Sequence, residues 1–194
     1  MARLCLDCAV TIFPESIYHL YNRGNNQQVI FPEKRNYDFF LQKTVIQLHP
    51  YLDFLAYCLM PNHFHFLIYI RPATDPKSFS NSFRTLLSSY TRAIQKQEGI
   101  TGSLFQQNSK AKKINDDEYA HTCFHYIHQN PLRARLVNKM EAWPHHSFNE
   151  YWKRENGICN VKLAGELLTV PIEPNQFYAE SYAVIPKEVA MEFE

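Results

Sequence analysis

The chain has 194 residues, 45% of them hydrophobic, with 14 Phe, 12 Tyr and a formal net charge of +1. That length suits one domain with a buried core, and the apolar runs are broken by charge, Pro and His, so a membrane-spanning role is not expected. The charge is uneven: residues 1–140 carry 16 Lys and Arg against 10 Asp and Glu, and residues 141–194 carry 4 against 9, a basic body with an acidic tail that is compatible with a nucleic-acid partner without requiring one.

At the N-terminus one Arg and no sustained apolar stretch argue against a signal peptide. Cys5-Leu6-Asp7-Cys8 is a lone C-x-x-C with no second ligand pair, so zinc is not expected there. Cys58 and Cys123 sit in apolar patterns and read as buried thiols. Five cysteines, an odd number, fit a reducing cytoplasm better than a disulfide framework.

Ile17 to Arg23 reads as a strand, with His19, Tyr21 and Arg23 on one face and Tyr18, Leu20 and Asn22 on the other. Turn chemistry over residues 22–26 ends it. Tyr37, Phe40, Leu41, Thr44, Val45 and Leu48 have helical spacing, so Glu33 to Leu48 is expected to be helical. Tyr51 to Met60 is a strand with little alternation, covered on much of both faces. A tight turn at Pro61-Asn62 leads into a second strand, His63 to Ile70. There Phe64, Phe66, Ile68 and Ile70 share a core face, and His63 and His65 lie side by side on the other. An i, i+2 histidine pair on a strand can bind one ion. On the strand alone, surface histidines or histidines satisfied by hydrogen bonds explain the pattern better.

Phe79, Phe83, Leu86, Leu87, Tyr90 and Ile94 mark a second amphipathic helix, closed by Gly99. Leu104 to Ile114 reads as a strand carrying Lys110, Lys112 and Lys113. Asn115 with Glu118 resembles a capping box opening a helix that runs to about Gln129, where Asn130-Pro131 ends it or starts a new turn. On this helix Tyr126 and Asn130 share a face, and each has an ordinary explanation: a half-buried core tyrosine, and an N-cap before Pro. His121, His125 and His128 crowd the same helix as alternative ligands or solvent-facing groups. The element order is β-α-β-β-α-β with a last helix, a ferredoxin-like α+β pattern, RRM-like in its antiparallel sheet. In that topology the first and third strands are neighbours, so His19, Tyr21 and Arg23 can lie beside His63 and His65.

His63-Phe64-His65 resembles the HUH motif of single-tyrosine transposases, and the 126–131 run Tyr-Ile-His-Gln-Asn-Pro resembles the nucleophile helix of the REP-associated tyrosine transposases, of the insertion-sequence-200 type. Residues 18–24, residues 102–106 and Trp143-Pro144 with Ser147 are similar to further segments of that family. Each motif alone is weak to moderate; their order makes the resemblance strong. It spans about residues 16–150, leaving 1–15 and 151–194 as extensions. One departure is Asn108-Ser109-Lys110, where many relatives carry an Arg-Phe-Lys-like run: the Lys is kept and the Arg is not.

The resemblance implies an enzyme that nicks and joins single-stranded, hairpin-containing DNA. Tyr126 would be the nucleophile, and His63, His65 and Asn130 would hold Mg²⁺ or Mn²⁺. The DNA contacts would come from Tyr21 on an open sheet face and from Arg23, Lys110, Lys112 and Lys113. It further implies a cytoplasmic protein, monomer or homodimer. The chemistry is coherent: a phenol, with a pKa of about 10, is a poor nucleophile at neutral pH, and a cation on the scissile phosphate compensates. Mixed N/O ligation suits Mg²⁺ only loosely, and His favours Mn²⁺ or later metals. Two other classes remain open: a non-catalytic nucleic-acid binder on the same fold, and a metal-dependent hydrolase using water with Tyr126 structural. A replication or plasmid-mobilisation HUH nuclease is a nearer alternative.

Overall fold

The structure, a computed structural model, describes residues 12–171 and 173–193. Four strands, β1 (Ser16–Arg23), β2 (Leu52–Met60), β3 (His63–Ile70) and β4 (Lys110–Ile114), alternate with α1 (Lys34–Leu48) and α2 (Pro76–Glu98). A long helix, α3 (Asp117–Arg133), follows β4, and four short ones follow it: α4 (Phe148–Trp152), α5 (Val161–Leu168), α6 (Pro174–Ser181) and α7 (Lys187–Ala190). The strands form one sheet in the order β2-β3-β1-β4, with every pair antiparallel. This is the expected β-α-β-β-α-β arrangement, extended at its C-terminal side. The C-x-x-C at Cys5 and Cys8 lies outside the described residues.

Alternation along the strands sorts the side chains into two cores. Tyr18, Leu20, Phe64, Phe66, Ile68 and Ile70 pack under α1 and α2 against Phe40, Phe79, Phe83 and Tyr90. On the opposite face Ala56, Cys58 and Leu67 meet Cys123, Phe124 and Ile127 of α3, with Phe148, Phe177 and Phe193 behind them. Each large apolar side chain buried this way is worth about 1.5–3 kcal/mol. This second layer corrects the expectation of an open face: α3 and the C-terminal segment cover much of it. His19 is fully buried and Tyr21 is partly covered. Cys58 and Cys123 are buried free thiols, as their apolar surroundings suggested.

The outer edge of β2 is not left bare. Leu59 N–H donates to His145 O (2.8 Å), Ser147 N–H to Tyr57 O (3.0 Å) and Asn160 N–H to Phe54 O (2.8 Å). Trp143 Nε1–H adds a bond to Leu59 O (3.1 Å). Residues 143–160 thereby pair the backbone groups that an edge strand would expose.

Three boundaries differ from the sequence reading. The strand expected over Leu104–Ile114 is reduced to Lys110–Ile114 plus one bridge between Gly24 and Phe105. Between them the Asn22 side chain replaces the ladder, donating from Nδ2 to Gln106 O (3.2 Å) and Ser109 Oγ (2.6 Å). The cap of α3 is Asp116, which accepts from Tyr119 N–H at 2.7 Å, and not Asn115. The helix also runs through Pro131 to Arg133. It ends in a Schellman closure: Leu136 N–H bonds Pro131 O (2.9 Å), Arg135 N–H bonds Leu132 O (3.0 Å), and Arg135 takes φ 57°. No glycine marks that end, and Pro131 suggested a stop four residues too early.

The corrected cap is testable. Asp116→Ala is expected to lower unfolding free energy by about 1 kcal/mol, as caps of this type do, and Asn115→Ala to change it little. Urea denaturation of the two variants distinguishes them, and the reverse order would restore Asn115 as the cap.

Candidate active site

The turn at Pro61-Asn62 delivers both histidines of β3 to one end of the sheet. Antiparallel register sets Arg23 opposite His63 and Tyr21 opposite His65. Each imidazole has a fixed partner. His63 Nδ1 lies 2.7 Å from Asn62 Oδ1, so it donates, and Nε2 keeps the lone pair. His65 Nδ1 lies 2.8 Å from His19 Nε2. The His63 and His65 rings stand 5.0 Å apart and nearly perpendicular.

These rings are neutral near pH 7. Burial, then the Arg23 charge, pushes His63 down to about 4, against a raising contribution from its hydrogen bond to Asn130. Burial, with Lys112 adding to it, pushes His19 down to about 3. His65 is fully enclosed and lies well below the usual histidine range, mainly through burial. Neutral imidazole is the form that can ligate a cation.

Helix α3 crosses this end of the sheet and brings Tyr126 and Asn130 to the same place. Tyr126 lies perpendicular to His65 at 5.9 Å, stacks on Phe193 at 4.8 Å and has the Arg133 guanidinium 5.9 Å from its ring centre. The Asn130 amide nitrogen points at Tyr126 O (3.4 Å), which leaves its oxygen for the His63 side. Asn130 is therefore an interior helix residue and not the N-cap of a following turn. His63, His65, Tyr126 and Asn130 line one cavity of about 540 Å³ together with Arg23 and Arg133. Its charged lining residues are those two arginines, so it favours an anion. Two imidazole nitrogens with oriented rings and one amide oxygen are a donor set that a divalent cation fits, leaving positions for phosphate oxygens.

The remaining predicted contact residues divide. Tyr21, Arg23 and Lys110 line a second cavity of about 240 Å³ beside the first, with Asn22, Gln106 and Asn108. Lys112 shares their sheet face but is engaged by the Tyr119 hydroxyl and ring (4.3 Å) and by Glu192 (3.9 Å). Lys113 falls on the opposite face, over the Phe13 ring at 5.5 Å. The other histidines of α3 stay out of the cavity. His128 is buried on Ser147 Oγ at 2.7 Å, and His125 pairs with His121. Nor does another tyrosine line it: the hydroxyl of Tyr90 bonds Ile30 O (2.7 Å), that of Tyr151 bonds Leu55 O, and that of Tyr119 meets Lys112. The sequence reading missed Asn62 and the bond made by His19. The turn chemistry of Asn62 hides its second role, whereas the strand face of His19 makes it legible as a neighbour.

Comparison with known proteins identifies the family. The family model for IS200-like transposases matches residues 14–130. A Haemophilus influenzae protein named among the REP-associated tyrosine transposases is 24% identical over 140 residues, covering 64% of this chain and 78% of that protein. The solved structure of a REP-associated tyrosine transposase, bound to a REP hairpin, superposes with a TM-score of 0.60 at 18% identity, covering 78% of this chain and 87% of the other. That match shows the shared fold. No helix among the described residues is long and apolar enough to cross a membrane.

The buried neutral histidines make stability depend on pH. Their folded pKa values lie below the unfolded value, so the unfolded chain binds more protons as pH falls. Stability is therefore greatest above about 6.5 and declines toward about 3. Between pH 7.5 and pH 5 the expected loss is about 2 kcal/mol for His19 alone, read by urea unfolding at the two values. A flat profile would contradict the neutral, buried state of these rings.

Proposed function

The chain belongs to the IS200-like transposase family, and from that premise we propose that it nicks and rejoins single-stranded DNA carrying hairpins, through a 5′-phosphotyrosine on Tyr126. The observation that carries the proposal is one cavity lined by a tyrosine, two neutral histidines, an asparagine and two arginines. A REP-like hairpin is the partner, by analogy with the hairpin-bound structural neighbour.

In the reaction the phenol oxygen of Tyr126 attacks phosphorus and loses its proton as the new P–O bond forms. The bond to the 3′-oxygen breaks, and that oxygen leaves with a proton as a free 3′-OH. The phosphodiester energy stays in the phosphotyrosine, so attack by a 3′-OH reseals the strand without ATP. His63, His65 and Asn130 would hold a divalent ion, Mg²⁺ or Mn²⁺. When bound, that ion would draw charge from the phosphate and stabilise the leaving oxygen. Asn62 and His19 hold the two rings in orientation. Arg23 and Arg133 offset phosphate charge, and Tyr21 offers a ring on which an unpaired base can stack.

Tyr126→Phe keeps the ring and its stacking on Phe193 and deletes the attacking oxygen. Affinity for a labelled hairpin with single-stranded flanks should survive within about threefold, a small effect as expected for a volume-conserving change, while nicking and strand transfer vanish together. Cleavage that persists in the Phe variant would instead indicate a water-using hydrolase. Binding with no cleavage by the wild type would indicate a binder.

The placement of the lysines gives a second test. Neutralising Lys110 should reduce the slope of log affinity against log salt by about one, whereas Lys113→Gln should leave it nearly unchanged. Equal effects would return both to general surface charge.

A further inference from the structure

We propose that His121, His125 and Glu180 form a zinc site that ties the C-terminal segment to α3. His121 and His125 are four residues apart on α3 and so share a face. Their Nε2 atoms face each other at 3.2 Å. Glu180, on α6, brings Oε2 to 3.7 Å from His121 Nε2. All three donor atoms lie within 4.8 Å of one another.

These separations are close to what zinc demands. With Zn–N and Zn–O bonds of about 2.0–2.2 Å, a tetrahedral ion sets its ligand atoms roughly 3.3 Å apart. Two edges of the triangle nearly meet that value, and a small side-chain movement closes the third. The carboxylate is already oriented: Gln176 Nε2 donates to Glu180 Oε1 at 3.0 Å, which frees Oε2 for the ion. His125 is buried against the rings of Phe124 (5.2 Å) and Phe177 (6.3 Å). Burial, with His121 adding to it, pushes its pKa down to about 3, so it is neutral and able to ligate. His121 and Glu180 are partly exposed, which gives an ion an entry path and leaves water as the fourth ligand. Two imidazoles and one carboxylate favour zinc over Mg²⁺ or Ca²⁺.

None of the three residues lines the cavity shared by His63, His65 and Tyr126. The ion would act on structure: it would pin α6 to α3 one residue before Tyr126 and so fix where that helix sits.

The test uses the full chain carrying Cys5→Ser, Cys8→Ser, His63→Ala and His65→Ala, which removes the other candidate zinc ligands. Zn²⁺ is titrated against a chelating indicator, and Tm is read with and without it. One equivalent should bind with Kd at or below about 1 μM and raise Tm when Zn²⁺ is in roughly 100-fold excess over Kd. Adding His121→Ala or Glu180→Gln should weaken binding about 100-fold, and Gln176→Leu about tenfold. No bound equivalent, or an equivalent whose affinity survives His121→Ala combined with Glu180→Gln, overturns the site. If that background fails to fold, the single variant His121→Ala in the otherwise unaltered chain should bind one zinc fewer than wild type, and an unchanged stoichiometry overturns it equally.

Discussion

The site depends on the antiparallel register of β1 against β3. That pairing sets Tyr21 opposite His65 and Arg23 opposite His63, and it brings His19 within a hydrogen bond of His65. A slip of one residue would turn every side chain of β3 to the other face. Phe64 and Phe66 would then enter the cavity and the histidines the apolar core. The register is held because Phe64, Phe66, Ile68 and Ile70 have nowhere else to go: all four are buried under α1 and α2.

A second layer completes what the sheet begins. Cys123, Phe124 and Ile127 anchor α3 on the sheet, and their side of the helix determines where Tyr126 and Asn130 point. Pro131 does not interrupt this helix. The Schellman closure at Arg135 comes a turn later, which carries Arg133 to the cavity wall. The cost of the arrangement lies in its histidines. His19, His63 and His65 are held neutral by burial, so the same enclosure that prepares His63 and His65 to ligate makes the fold sensitive to acid.

Much of this was legible beforehand because period and order carry it. Alternation in residues 63–70 separated the two faces correctly, and the element order implied that the first and third strands are neighbours. The misreadings share a cause, which is competition from side chains that no periodicity records. Asn22 bonds Gln106 and Ser109 and so shortens β4. Asp116 wins the cap from Asn115 although both are suitable residues. The layer that the short helices after α3 add behind it was also illegible, because short helices with mixed faces reveal their packing only when a surface to pack on exists. The resemblance groups the three lysines of β4 as DNA contacts, whereas strand pleating sends Lys113 to the other face.

The central claim is that Tyr126, the one tyrosine lining the cavity with His63 and His65, is the nucleophile. Tyr119 is its nearest competitor, seven residues earlier on α3 and tilted against the same Phe193 ring on which Tyr126 stacks. The most direct measurement is peptide mass spectrometry of the covalent complex that forms when the wild-type chain, with Mn²⁺ and a hairpin substrate, is denatured during turnover. The account predicts a single modified peptide with the DNA attached through its 5′ phosphate to Tyr126. Phosphotyrosine at Tyr119, or cleavage with no covalent peptide at all, would contradict it.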